Sequence, residues 1–477
     1  MSLTNQQKNQ HLLWRATFGP MAENVNELSH VSQKELYKLL LNTSSKKPDP
    51  LLVANSAMDG LVKGVEDLGR MQNLTSEQKK QLRKQSVDDI KNLNLAWLTE
   101  MINSEAQLRE KMSLFWHGRF ACRVINIYFQ QQLLNVIREN ALGNFGDLLR
   151  EVSKSPAMLS FLNNQQNRKQ HPNENFAREV MELFTMGRGN YTEKDVKEGA
   201  RAYTGWGFNL SGEFVERPFL HDTGTKTFLG RTGNFDGDDV IDIILEQKAT
   251  ARFITGKIYK YFVNERIDDE KVAALADRFY QNNYDLNKLM NDIFLSEWFY
   301  DEINIGTRIK SPVELLVGVR RLIPMELEKP EMQLLFQRVL GQVLFYPPNV
   351  AGWPGGKNWI DSSALMFRMR LPQILTNAEE FLISPKDDDD TMMGREGVDK
   401  IRRPKQLNVN VDWDSVVKVF DKIPKESLQQ KINEFVLQAK NSINPNVLKR
   451  YIDISSRENF VKSTMIELMS TPEYQLC

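Results

Sequence analysis

Cysteine is nearly absent: Cys122 and Cys477 are the only two in 477 residues. Lying far apart and outside any metal-type spacing, they exclude a disulfide framework and a zinc site built from thiolates. Net charge is lacking as well. Lys+Arg 62 is balanced by Asp+Glu 62, giving a formal charge of +0, so the chain as a whole makes no electrostatic case for nucleic acid or an anionic membrane. No apolar run reaches the roughly 18 residues that a membrane span needs, and mean hydropathy is -0.46. The segment from Met1 to Gln10 has neither the basic flank nor the apolar stretch of a secretory signal, so a soluble, cytoplasmic protein is expected, without membrane insertion. GxxxxGK[ST], a GxGxxG after a strand, GxSxG and HExxH are all missing, which removes support for a nucleotide cofactor, a serine hydrolase or a zincin.

What is present is helical periodicity almost throughout. Ser155-Pro156 and Ser311-Pro312-Val313-Glu314 each supply an N-cap followed by proline at the first helical position, and Thr192 opens a third helix that stops near Gly205. Apolar residues recur at helical spacing over Val87–Ile102, Glu105–Trp116, Ile125–Ile137, Ala249–Phe262, Lys271–Tyr280 and Leu315–Leu322, and again after Ser427 and Asn459. The fold class is therefore mainly α, a large irregular multi-helix domain. The exception is 206–235, where glycines punctuate short extended pieces and one or two small β-hairpins are predicted. A loop rich in proline and glycine, Phe345 to Gly356, leaves no room for a regular helix or central strand. The domain reading is a helical core over 1–382, a mobile acidic and polar insertion over 383–405, and C-terminal helices over 406–477 that pack on the same core. Three stretches, 149–162, 289–300 and 465–474, share a weak pattern that suggests a reused helix-turn-helix corner.

The densest set of reactive side chains is His171-Pro172-Asn173-Glu174-Asn175-Phe176-Ala177-Arg178-Glu179-Val180-Met181-Glu182-Leu183. Helical spacing puts Asn175, Glu179 and Glu182 on one face, above an apolar stripe of Phe176, Val180 and Leu183. Such a face can hold a hard divalent cation or offer a general base, but Arg178, four residues from both Glu174 and Glu182, also fits ordinary helix ion pairing, and the structural reading weighs more. His117 follows Phe115-Trp116 and is either a catalytic imidazole or a satisfied core residue. His221-Asp222 could pair as base and orienting carboxylate. Neighbours on a strand point to opposite faces, however, so an Asx-type turn from Asp222 to Gly224 is the preferred role. Asn234 to Asp239 lacks calcium-loop spacing, and Asp238 or Asp239 is expected to cap the next helix. Trp353 and Trp359 could form an aromatic platform for a sugar ring or a peptide, or merely plug their loop into the core.

The motifs taken together resemble a known family. His11-Leu12-Leu13-Trp14-Arg15-Ala16-Thr17-Phe18-Gly19-Pro20, Phe115-Trp116-His117-Gly118-Arg119-Phe120, Asn140 to Phe145, the Asn173 to Leu183 helix, Ala200 to Trp206, His221-Asp222 with Lys226 to Gly230, Lys310 to Glu314, Pro347 to Gly356 and Ser470 to Gln475 are similar, in order, to the bacterial family called domain of unknown function 1800. The resemblance implies a largely helical protein with no assigned activity. It also implies a candidate partner, a protein of the family called domain of unknown function 1501, often encoded alongside. Family members commonly have a histidine where Arg119 stands and often one in place of Phe184. A histidine-rich metal centre would here be reduced to His117, Glu179, Glu182, His221 and Asp222, with Glu179, Glu182 and His221 the candidates for a divalent metal.

Two functions of different class are therefore in view. In one the chain is a binding or assembly protein. In the other it is a hydrolase, with or without the assistance of a metal, with Glu179, Glu182 and His117 as catalytic groups, and Arg119, Asn175, Arg178, His221, Asp222 and Trp353 binding the substrate. Convergence of these groups in one pocket is what would favour the enzyme.

Overall fold

A computed structural model describes residues 3–24, 27–54, 75–209, 211–377, 407–439 and 445–477. The insertion expected at 383–405, with its four aspartates, lies outside the described residues. Helices dominate, accompanied among the described residues by three two-stranded antiparallel sheets.

The helix starts follow from local chemistry. Ser155 accepts a hydrogen bond from the Met158 amide and carries Pro156 at the first helical position. Ser311 and Glu314 close a reciprocal capping box on the helix Pro312–Leu322, as Thr192 and Asp195 do on Glu193–Ala202. The cap ahead of Val240 differs from the sequence reading. Asp236 takes the N-cap position and Asp239 closes the box behind it, because the helix begins three residues earlier, at Gly237. Each of the three suspected corners is a helix end followed by one short helical turn: Pro156–Phe161, Glu297–Tyr300 and Glu473–Gln475.

Both hairpins sit where the glycines placed them. Trp206–Phe208 pairs with Phe214–Glu216, and Lys226–Phe228 pairs with Arg231–Gly233. The third sheet is non-local, with Met325–Leu327 against Val409–Val411. The helix Glu174–Glu179 runs without a break into a π-helical turn, Val180–Thr185. This departs from the single α-helix implied by the spacing. π-turns of this kind are frequent at functional sites.

Buried apolar side chains form two clusters. One gathers residues between Leu12 and Tyr300, including Trp116, Phe145, Phe176 and Phe262. The other joins Trp14, Phe18 and Trp97 to the Pro312–Leu322 helix and to C-terminal residues such as Phe435, Met465 and Tyr474. The first helix, Asn5–Ala16, feeds both clusters through alternate faces, Leu12 and Leu13 to one and Trp14 to the other. No helix among the described residues is long and apolar enough to cross a membrane.

Candidate functional site

A pocket with a cationic lining lies where three segments meet. The end of the helix Gln107–Arg119 supplies Gly118 and Arg119. The end of the helix Lys248–Phe262 supplies Lys257, Lys260 and Tyr261, with Glu265 just beyond. The third wall is the 353–359 loop, with Trp353, Gly355, Gly356 and Trp359, and the cavity between them is about 200 Å³.

The loop is held against the first helix by a close backbone approach. Gly352 has φ +77, and a Cβ there would lie 2.3 Å from the Gly118 carbonyl oxygen, so only glycine fits. Phe345, at φ 68, is steadied from the other side, its amide donating to His117 Nε2 at 3.2 Å. His117 is 3% exposed and its ring lies 5.2 Å from Trp97, 5.0 Å from Phe345 and 5.7 Å from Trp353, centroid to centroid. Burial pushes its pKa down to about 3. The ring is therefore neutral and accepting, and it positions the loop that carries Trp353.

Beneath the pocket runs a buried ionic network. Glu314 pairs with Lys111 at 2.5 Å and with Arg308, whose guanidinium lies 4.7 Å from the Tyr261 ring centre. Tyr261 donates its hydroxyl to Glu314 at 3.4 Å. Burial alone would raise the Glu314 carboxyl, yet Arg308 and Lys111 hold it well below the usual range. Glu314 is thereby committed to those two cations.

The other cations on the lining have no carboxylate partner, although the Lys257 ammonium also lies 4.8 Å from the Phe253 ring centre. Among the described residues, Arg119, Lys257 and Lys260 form no ion pair and no hydrogen bond. Burial lowers the pKa of Arg119, and burial together with repulsion from Arg119 and Lys260 lowers that of Lys257. Glu265 is the one carboxylate on the lining, lying along Gly356, where a Cβ would sit 3.0 Å from its oxygen.

Of the residues singled out from sequence, Arg119 and Trp353 line this pocket and His117 backs it. The others lie in two further places. On the 174–185 segment, Arg178 pairs with Glu174 at 3.1 Å and Glu193 at 2.7 Å, Asn175 donates to the Leu162 carbonyl at 3.1 Å, and Glu182 is held by Arg188 at 2.5 Å and the Tyr191 hydroxyl at 2.7 Å. Glu179 is half-buried and makes no hydrogen bond or ion pair among the described residues. Its pKa is raised by burial and by the Glu182 charge. Burial also pushes on Glu182, but the bonds from Tyr191 and Arg188 bring it below the ordinary value.

The third place is the first hairpin's exit. His221 Nδ1 donates to the Thr204 carbonyl at 2.9 Å, and Asp222 accepts from Arg201 at 2.7 Å and from the Gly224 amide at 2.8 Å. This is the Asx turn foreseen, and it fixes Asp222 away from any dyad with His221. The metal candidates Glu179, Glu182 and His221 are not assembled: no group of three or more His, Cys, Asp and Glu among the described residues could hold a metal ion. The imidazole is turned to Thr204 and Glu182 is committed to Arg188 and Tyr191, which is why they stay apart.

Lys257, Lys260, Arg308 and Glu265 were not foreseen. A signal existed for the lysines, since the helix Lys248–Phe262 carries Lys248, Arg252, Lys257 and Lys260 and no carboxylate. A family model described as Protein of unknown function (DUF1800) matches residues 11–476. The chain belongs to this family. No curated protein and no solved structure matches it. The pocket is thus assembled from stretches that carried the DUF1800 resemblance, 115–120, 310–314 and 347–356, joined by the cationic helix that did not.

Proposed function

We propose that this protein binds a small anionic ligand in the pocket between Arg119, Lys257, Lys260 and the Trp353–Trp359 loop. The observation that carries the reading is the set of three cations on the lining of one cavity, none of them in an ion pair or hydrogen bond among the described residues, against a single carboxylate, Glu265. Holding like charges together in a partly desolvated place costs stability, and an anion that enters recovers that cost through charge-assisted hydrogen bonds. Trp353 and Trp359 are each 7% exposed, which suits walls better than an open platform. The test is calorimetric titration with inorganic phosphate and sulfate at low and high salt. Binding that weakens with salt and is lost in Arg119→Gln supports the pocket, whereas equal binding by the variant sinks it. Because Arg119 is unpaired, Arg119→Gln is also expected to keep or raise the unfolding free energy, by up to about 1 kcal/mol.

A second reading keeps a hydrolase on the 174–185 segment alone, without His117, Arg119 or His221, and one observation favours it: Glu179 is half-buried and makes no hydrogen bond or ion pair among the described residues, as a general base open to substrate requires. Glu179→Gln should then abolish any hydrolysis found while leaving anion binding at Arg119 unchanged. An assembly role with a domain of unknown function 1501 protein is compatible with either reading, and co-purification of the two native proteins tests it.

A further inference from the structure

Resting on the anion-binding reading, we infer that the pocket selects a phosphate monoester of a small polyol, of the size of one sugar phosphate. The three unpaired cations and the single unpaired carboxylate, Glu265, leave two positive charges in excess on the lining. A phosphate monoester carries about −1.5 to −2 at neutral pH and matches that excess, while a lone carboxylate would leave a cation uncompensated. Arg308 does not enter the count: it and Lys111 share Glu314, and the favourable charge interaction of both with Cys477 supplies the second compensation.

Glu265 decides the rest of the ligand. An ionised carboxylate only accepts hydrogen bonds, so it repels a bare phosphate or sulfate and needs a donor such as a hydroxyl. Its contact with Gly356 lays it along the loop, on the same cavity as the cations. One ligand must therefore present a dianion to Arg119, Lys257 and Lys260, and hydroxyls to Glu265. The carbon skeleton in between meets Trp353, Trp359 and Tyr261, whose rings pack on C–H surface. A cavity of about 200 Å³ suits one sugar-sized body, below the roughly 300–1,000 Å³ of pockets that enclose drug-sized ligands.

The experiment is isothermal calorimetry on the full chain with glucose 6-phosphate, glucose, inorganic phosphate and inorganic sulfate. Glucose 6-phosphate should bind about tenfold tighter than inorganic phosphate, the value of one added hydrogen bond to a charged group, and glucose should not bind measurably. Glu265→Ala, which leaves no acceptor, should erase that preference while still binding inorganic phosphate. Lys260→Gln, at an exposed position where folding is not at stake, should weaken both phosphates. If inorganic phosphate or sulfate binds as tightly as the sugar phosphate, or if Glu265→Ala keeps the preference, the polyol inference is overturned and the anion pocket stands. If no anion binds the unaltered protein, both fall.

Discussion

His117 shows how a residue that looks catalytic serves the pocket by staying uncharged. Its Nε2 accepts from the Phe345 amide, and its ring is enclosed by Trp97, Phe345 and Trp353. The folded ring takes up a proton only near pH 3, against an ordinary 6.5. Between those values the unfolded chain therefore holds the extra proton, so stability is fully present above 6.5 and falls as the pH drops toward 3. The loss attributable to His117 should be about 1.4 kcal/mol for each pH unit below 6.5. Urea unfolding of the protein and of His117→Gln at pH 7 and pH 5 measures it. The variant starts lower, having lost packing, but its stability should change less across the interval. Parallel changes in the two proteins would refute the assignment. Other groups, among them the fully buried His11, whose pKa burial also lowers, act equally in both proteins and cancel in the comparison. At this scale the sequence identified Arg119, Trp353 and His117 as chemically interesting but could not rank them. Which nitrogen accepts, and which cation lacks a partner, depends on neighbours some 20 to 230 positions away.

At the scale of elements, the legible parts are those whose cause is local. Capping residues at Ser155, Thr192 and Ser311 and the glycine pattern of the two hairpins act within a few residues, so they can be read directly. The π-helical turn Val180–Thr185 could not be read, because its side-chain spacing differs little from that of an α-helix over six residues. The 345–359 loop falls between these cases. Its prolines announced irregular backbone, but its role as a pocket wall rests on the approach of Gly352 to Gly118. Gly352→Ala places a methyl group against the Gly118 carbonyl and forces a left-handed backbone on alanine. The left-handed strain alone costs about 1–2 kcal/mol, and the clash adds to it. The expected result is a lower thermal midpoint together with loss of anion binding, while Gly341→Ala, whose φ is +87 but whose Cβ would meet nothing within 4 Å, lowers the midpoint without affecting binding. Equal binding by both variants would mean that the loop's position does not define the site.

Over the whole molecule, neutrality conceals a local imbalance: the formal charge is +0, yet positive charge gathers around and under one pocket. That gathering depends on the last residues of the chain. Ile309 bridges to Leu476, Lys310 donates to the Tyr474 carbonyl at 2.6 Å and lies between the Trp14 and Tyr474 rings, and Arg368 donates to Gln475 at 3.1 Å. These contacts span more than a hundred positions, as does the approach of the Gln107–Arg119 helix to the 353–359 loop, and no periodicity or spacing in the sequence encodes them. Deleting 470–477 would strip Lys310 and Arg368 of these partners and open to solvent the buried surface that Tyr474, Gln475 and Cys477 cover. Losing a fully buried aromatic side chain such as Tyr474 costs about 3–5 kcal/mol and each lost hydrogen bond to a charged group about 1.5–3 kcal/mol, a large share of the roughly 5–15 kcal/mol that holds a domain folded. Ile309 and Ser311 line the pocket on either side of Lys310, so the wall they form should loosen first. The truncated protein is expected to bind no phosphate and to be cleaved by a protease at 25 °C under conditions that leave the full chain intact. Gln475→Ala, which removes one acceptor and keeps the bridge, should retain binding with a lowered midpoint. A truncated chain that resists protease and binds phosphate with unchanged affinity would show that the C-terminal residues cover the pocket wall without supporting it.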